Sequence, residues 1–192
     1  MDFLSADYWT ERYDVGQTGW DLRNISPPLK AYVDQLEDEN LRILVPGAGF
    51  GYEVAYLFQK GFKQVFYLDF SPAPLEHFKN LLPGFPNEQL LCEDFFEHTG
   101  AYDLIIEQTL FCAIDPHLRA KYVKKVHDLL IPGGKLVGLL FNRTFDSGPP
   151  FGGTKEEYVK RFKPYFFNLK IEDCYNSVDA RSGTELFVRM MK

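Results

Sequence analysis

The residues best suited to chemistry surround one glycine-rich turn. An apolar run, Leu41-Arg42-Ile43-Leu44-Val45, leads into Pro46-Gly47-Ala48-Gly49-Phe50-Gly51, and one helix-length later Val65-Phe66-Tyr67-Leu68 ends in Asp69. Glycine has no Cβ to hold a ligand off the main chain, so Gly47, Gly49 and Gly51 permit a sharp turn and close approach of a cofactor. Asp69 can then accept hydrogen bonds from ribose hydroxyls. A dinucleotide fingerprint, G-x-G-x-x-G, has its third glycine where this chain has Tyr52. Without a pyrophosphate to seat, the turn suits S-adenosylmethionine better than NAD. Further polar residues follow later apolar runs: Asp94 with Phe95, Glu107 with Gln108 and Thr109, and Asn142 with Arg143. Carboxylates there can meet ribose hydroxyls and an adenine amino group, with Phe70 or Phe95 over the adenine face.

Alternating strands and helices are needed to bring these residues to one edge. The apolar runs predict strands over Leu41 to Val45, Val65 to Leu68, Gln89 to Cys92, Tyr102 to Glu107 and Lys135 to Phe141. Helices are expected from about Gly51 to Lys60, from Ser71-Pro72 to the Pro83-Gly84 stop, from Asp115-Pro116 to Leu130 and near Lys155 to Phe162. Phe111 and Cys112 fall in an expected loop, and Pro132-Gly133-Gly134 in a turn. The last runs, Phe166 to Glu172 and Thr184 to Met190, are joined by a polar turn region and should pair antiparallel. This is an α/β pattern with a mostly parallel sheet of seven strands, whose ligand site lies beyond the carboxyl ends of the strands.

The 192 residues, 45% hydrophobic and 25% charged, fit one domain, with residues 1–40 preceding a sheet-bearing core over 41–192. A formal charge of −6 with scattered Lys and Arg argues against nucleic acid as a partner. There is no run of about 18 apolar residues and no basic flank with a long apolar core at Met1-Asp2-Phe3-Leu4-Ser5, so no membrane partner is expected and a cytoplasmic location is. Cys92, Cys112 and Cys174 are odd in number and far apart, as reduced thiols are, and the four histidines show no metal-ligand spacing, so no metal is assigned. Both tryptophans lie in Asp7 to Asp21, where aromatic rings can either pack a helix or form a lid facing a sulfonium cation.

Together these motifs resemble the thiopurine methyltransferase-like branch of class I S-adenosylmethionine-dependent methyltransferases, which includes thiol, thiocyanate and halide methyltransferases. The resemblance spans essentially the whole chain. It rests on Trp9-x3-Tyr13-x2-Gly16-x-Thr18-x-Trp20, Leu44-Val45-Pro46-Gly47-Ala48-Gly49, Tyr67-Leu68-Asp69-Phe70-Ser71, Asp94-Phe95-Phe96, Phe111-Cys112-Ala113-Ile114-Asp115-Pro116 and Gly148-Pro149-Pro150-Phe151. It implies a single Rossmann-like α/β domain with a C-terminal antiparallel hairpin and an N-terminal helical lid. It also implies S-adenosylmethionine as cofactor. Trp9, Tyr13 and Trp20 would enclose it, Gly47, Ala48 and Gly49 would approach the methionine part, and Asp69 and Phe70 would meet the ribose and adenine. Glu93, Asp94 and Phe95 would lie by the adenine, and Gln108 by the methionine part and the acceptor.

The implied reaction is in-line methyl transfer to a small-molecule acceptor: a thiol, thiocyanate or halide, an aromatic thiol included. A thiolate or halide needs no general base, and no triad or nucleophile motif is visible. Gln108, Phe111 and Arg143 are candidates for the acceptor pocket, with Arg119 as a second cation and Cys112 as wall. At Gln108 the mammalian thiopurine branch resembles an arginine and the plant branch a tyrosine, so neither acceptor contact carries over. An oxygen or nitrogen acceptor, a nicotinamide-dependent oxidoreductase and a non-catalytic cofactor-binding domain stay open as alternatives. A monomer or weak homodimer is expected.

Overall fold

The computed structural model describes residues 3–192. Seven strands form one sheet: β1 (Arg42–Pro46), β2 (Gln64–Asp69), β3 (Leu90–Cys92), β4 (Tyr102–Gln108), β5 (Leu130–Phe141), β6 (Phe167–Asp173) and β7 (Glu185–Met191), in the order β3-β2-β1-β4-β5-β7-β6. The helices are α1 (Ala6–Asp14), α2 (Pro27–Val33), α3 (Tyr52–Gln59), α4 (Pro72–Leu81), α5 (Leu110–Ala113), α6 (Arg119–Leu129) and α7 (Lys155–Phe162).

The chain runs outward from β1 through β2 to β3 and returns to β4 on the other side of β1, so the order in which strands are added reverses between β1 and β4. At such a switch the following loops diverge and leave a crevice. The apolar run of β1 is buried on both faces: Ile43 and Val45 pack with α3 and α4 residues such as Val54, Leu57 and Phe78, while Leu44 joins Tyr122 and Val126 of α6 on the other face. This is the period-two alternation of a central strand.

β6 and β7 pair antiparallel as expected, and β7 also pairs antiparallel with β5, from Lys135↔Met191 to Phe141↔Glu185. β7 is thus wedged between β5 and β6. The short β6–β7 connection has no room for the crossover that a parallel pair requires. Two local expectations are corrected. Pro132-Gly133-Gly134 is drawn into a lengthened β5, because Gly133 donates to the Lys192 carbonyl (3.0 Å) and Gly134 accepts from Lys192 N–H (2.9 Å). Phe111 and Cys112 lie not in a loop but in α5, whose Phe111 N–H is capped by Glu107 Oε1 at 2.9 Å.

α1 starts at Ser5, whose hydroxyl accepts from Tyr8 N–H at 3.2 Å, and its Thr10 hydroxyl lies 2.8 Å from that of Ser71, which docks the N-terminal segment above the β2 end. Among the described residues no helix is long and apolar enough to cross a membrane, and no three His, Cys, Asp or Glu side chains gather as a metal group would.

Candidate functional site

The crevice is a cavity of about 740 Å³, with Gly47, Asp69, Phe95 and Thr109 from the ends of successive strands on one side and Trp9, Tyr13 and Trp20 of the N-terminal segment on the other. A smaller niche of about 60 Å³ adjoins it, sharing Tyr13, Trp20, Gly47 and Thr109 as walls and adding Ala48, Gly49, Glu53 and Gln108.

The glycines divide the work. Gly49 (φ +53°) sits where an added Cβ would come within 3.0 Å of the Tyr13 hydroxyl, so a side chain there would close the gap between turn and lid. Gly51 (φ +76°) serves packing instead: a Cβ there would lie 2.2 Å from the Phe78 ring. That close approach explains a third glycine at 51 with Tyr52 beside it.

Asp69 is 6% exposed and accepts from Gly49 N–H (3.0 Å) through one oxygen and from Ser71 N–H (2.9 Å) through the other. Burial pushes its carboxyl up from 3.8 to about 6, while the amides of Ser71, Gly49 and Phe70 pull back. The four accepting positions of the carboxylate outnumber these three amides, and the residue lines the cavity.

Phe70, Asp94 and Phe95 line the same cavity, with Asp94 Oδ1 accepting from Phe96 N–H at 2.8 Å. Glu93 is not brought there. It turns to the opposite side of the chain, where Oε1 lies 2.5 Å from His98 Nδ1, and His98 Nε2 lies 2.7 Å from the Tyr102 hydroxyl. Neighbouring residues in extended chain point to opposite faces, so only one of the two acids can reach the cavity.

The lid aromatics meet edge to face: Trp9 and Trp20 at 5.3 Å between centroids, Tyr13 and Trp20 at 5.5 Å. Gln108 stands on the niche, its Oε1 accepting from the Ser26 hydroxyl at 2.7 Å, which leaves its NH₂ as donor. Cys112 is a cavity wall; its thiol donates to the Thr109 carbonyl at 3.1 Å, and burial pushes it up to about 12, so it stays a neutral thiol.

Of the expected acceptor residues, Arg143 lines the cavity with its guanidinium 4.6 Å from the Phe145 ring centre. Phe111 does not. It is buried behind the wall against Tyr122 and Tyr158, because the cap from Glu107 turns its helix inward. Arg119 is likewise no acceptor contact: 3% exposed over Phe111, it binds Glu157 (3.0 Å) and the carbonyls of Phe151 and Gly152 (3.1 and 2.9 Å), pinning the loop after Pro150. Sequence reasoning missed Arg181, a cavity residue whose guanidinium binds Glu185 and the Trp20 carbonyl. Its only local signal is the i,i+4 spacing to Glu185.

The sequence matches the family model described as thiopurine S-methyltransferase (TPMT) over residues 4–188. It is 34% identical over 199 aligned positions to "Probable thiol methyltransferase 2" of Arabidopsis thaliana, covering 100% of this chain and 88% of that protein. It is 31% identical to "Thiocyanate methyltransferase 1" of Brassica oleracea, over 96% of this chain and 84% of that one. The fold is similar to that of the 1,6-didemethyltoxoflavin-N1-methyltransferase of Burkholderia thailandensis, solved with 1,6-didemethyltoxoflavin and S-adenosylhomocysteine, with a TM-score of 0.77 at 16% identity over 98% of this chain and 87% of that chain. With 185 of its positions inside that family model, and the whole of it aligned at 34% identity to a relative named as a probable thiol methyltransferase, the chain belongs to the thiopurine S-methyltransferase family.

Proposed function

We propose that the protein transfers the methyl group of S-adenosylmethionine to the sulfur of a small soft nucleophile, with an aromatic thiol favoured over thiocyanate or a bare halide. The observation that carries this is the cavity's mixed lining: polar at Gly47 and Asp69, and apolar at Ile114, Leu118, Phe141, Phe145, Pro149 and Pro150.

The residues fit the cofactor. Gly49 leaves open a cradle that a Cβ would fill, and Asp69 keeps an accepting position for a ribose hydroxyl. Phe70, Asp94 and Phe95 would receive the adenine, and Gly47, Ala48, Gly49 and Gln108 the amino-acid end. Trp9 and Trp20 would face the sulfonium, an attraction of about 0.5–2 kcal/mol per well-placed ring.

When bound, the cofactor supplies a methyl group already activated on sulfur, so the chain's own task is alignment and exclusion of water. Trp9 and Trp20 close the site from above, and neutral Cys112 and Leu110 wall it from below. At the acceptor end the guanidinium of Arg143 supplies positive potential for a thiolate within a protein of formal charge −6, the charge of Arg181 being balanced by Glu185. The apolar walls Ile114, Phe141, Phe145, Pro149 and Pro150 suit a planar aromatic ring better than a bare halide. The three free cysteines support a reducing compartment, the cytoplasm. The scattered charge supports a small molecule as partner, with the chain acting as a monomer or weak homodimer.

Binding calorimetry with S-adenosylhomocysteine and NAD, followed by acceptor panels, tests the reading. S-adenosylhomocysteine should bind and NAD should not, and aromatic thiols should give higher kcat/KM than thiocyanate or iodide. Binding of NAD, or a preference for hydroxyl or amine acceptors, would overturn it.

A further inference from the structure

Glu53 is the second residue of α3, 7% exposed, and its carboxylate pairs with no cation among the described residues. A carboxylate this deeply buried without a cation is costly, and burial pushes it up from 4.5 to about 7 despite the pull of its own amide and that of Ser26. The nearest positive charge to act on it, Arg181, is already committed to Glu185 at 3.2 Å and to the Trp20 carbonyl at 2.8 Å. Glu53 lines the small niche beside Gly47 and Gly49, and a second carboxylate, Asp21, lines it too. Asp21 is fixed by Arg23 N–H at 2.6 Å. The remaining polar walls, Tyr13, Trp20, Asn24, Tyr52, Gln108 and Thr109, are neutral.

A niche of about 60 Å³ with two carboxylates and no cation of its own is complementary to a compact ammonium group. We infer that Glu53, with Asp21 in the same niche, binds the α-ammonium of the cofactor's amino-acid end. This rests on the cofactor reading above. Gln108, whose NH₂ is left free by its bond from Ser26, stands in the same niche as a donor for the adjoining carboxylate of that amino-acid end. Glu53 therefore sets the depth at which the sulfonium sits, and it favours the zwitterionic amino acid over ligands that stop at the nucleoside.

The test compares S-adenosylhomocysteine with its analogue lacking only the α-amino group, on the wild type and on Glu53→Gln. The substitution should weaken S-adenosylhomocysteine about ten- to a hundredfold and change the deamino analogue less than twofold. Equal losses for both ligands, or no loss for either, would overturn the inference. Failure of wild type to bind S-adenosylhomocysteine would instead overturn the cofactor reading. A second measurement needs no variant. Glu53 is faced by Asp21, Tyr13, Tyr52 and Arg181, and ionising it for an ammonium should release a proton at pH 6. Calorimetry in buffers of different ionisation enthalpy should show S-adenosylhomocysteine releasing more protons than the deamino analogue, approaching one, and identical proton counts would contradict the pairing.

Discussion

Arg181, just before β7, donates to the main-chain carbonyl of Trp20 at 2.8 Å, across 161 residues of chain. Its other terminal nitrogen holds Glu185 at 3.2 Å, and both side chains are buried. The segment leading into the last strand thereby ties down the N-terminal segment that carries the lid. Trp20 in turn meets Trp9 and Tyr13 edge to face, so one guanidinium orders the roof of the cavity.

Replacing Arg181 by Met should therefore do two separable things. It leaves Glu185 buried without a partner, which should cost about 3–5 kcal/mol in urea denaturation. It also frees Trp20, raising the Kd for S-adenosylhomocysteine tenfold or more. The double variant Arg181→Met with Glu185→Met should recover stability and leave affinity weak. Recovery of both would show that Arg181 acts on stability alone.

Trp9 should distinguish a charged ligand from a neutral one. Trp9→Ala removes a ring from the cavity roof, and only S-adenosylmethionine carries the sulfonium charge that the ring face attracts. Calorimetry should show affinity for S-adenosylmethionine falling more than affinity for S-adenosylhomocysteine, with Trp9→Phe intermediate. Equal losses would reduce Trp9 to a packing residue.

Gly51 should behave as a folding residue and Gly49 as a binding one. Gly51→Ala sets a Cβ against Phe78 at positive φ, with an expected loss of about 2–4 kcal/mol of stability, partly restored by Phe78→Leu. Gly49→Ala shares the positive-φ strain but meets only the far end of Tyr13, so its larger effect should be on cofactor affinity. Chemical denaturation and calorimetry on the same variants separate the two.

That division marks how far the sequence could be read. The turn, Asp69 and the strand pattern depend on spacings within about thirty residues, and local chain geometry honours such spacings. Asp94 and Glu93 are adjacent and chemically alike, and only the position of His98 and Tyr102 decides which faces the ligand. Phe111 sits in a motif that reads as a loop, and its burial follows from the Glu107 cap and the Tyr122 ring, neither of which has a local signature. Arg181 lies in a polar turn like any other, and its role exists only through a contact formed after the whole sheet assembles.

Buried acids give the protein an unusual response to pH. Burial raises Glu53 and Glu107 from 4.5 to about 7 and Asp69 from 3.8 to about 6. Between the unfolded and folded values the native state holds more protons than the unfolded chain, so these groups make stability fall as pH rises from about 4 to about 7. Cofactor-free protein should melt higher at pH 5.5 than at pH 8. Glu107→Gln should flatten that dependence by removing one of the three groups, and an unchanged slope would show that Glu107 binds its proton alike in the native and the unfolded chain.

The central claim is transfer of an activated methyl group to sulfur. It is tested most directly by incubating the purified protein with S-adenosylmethionine bearing a deuterated methyl group and an aromatic thiol, and weighing the products by mass spectrometry. The expected result is the deuterated methyl sulfide and S-adenosylhomocysteine in equal amounts, both dependent on the thiol. A label that stays on the cofactor with every thiol offered, or that appears on oxygen or nitrogen in preference to sulfur, would contradict it.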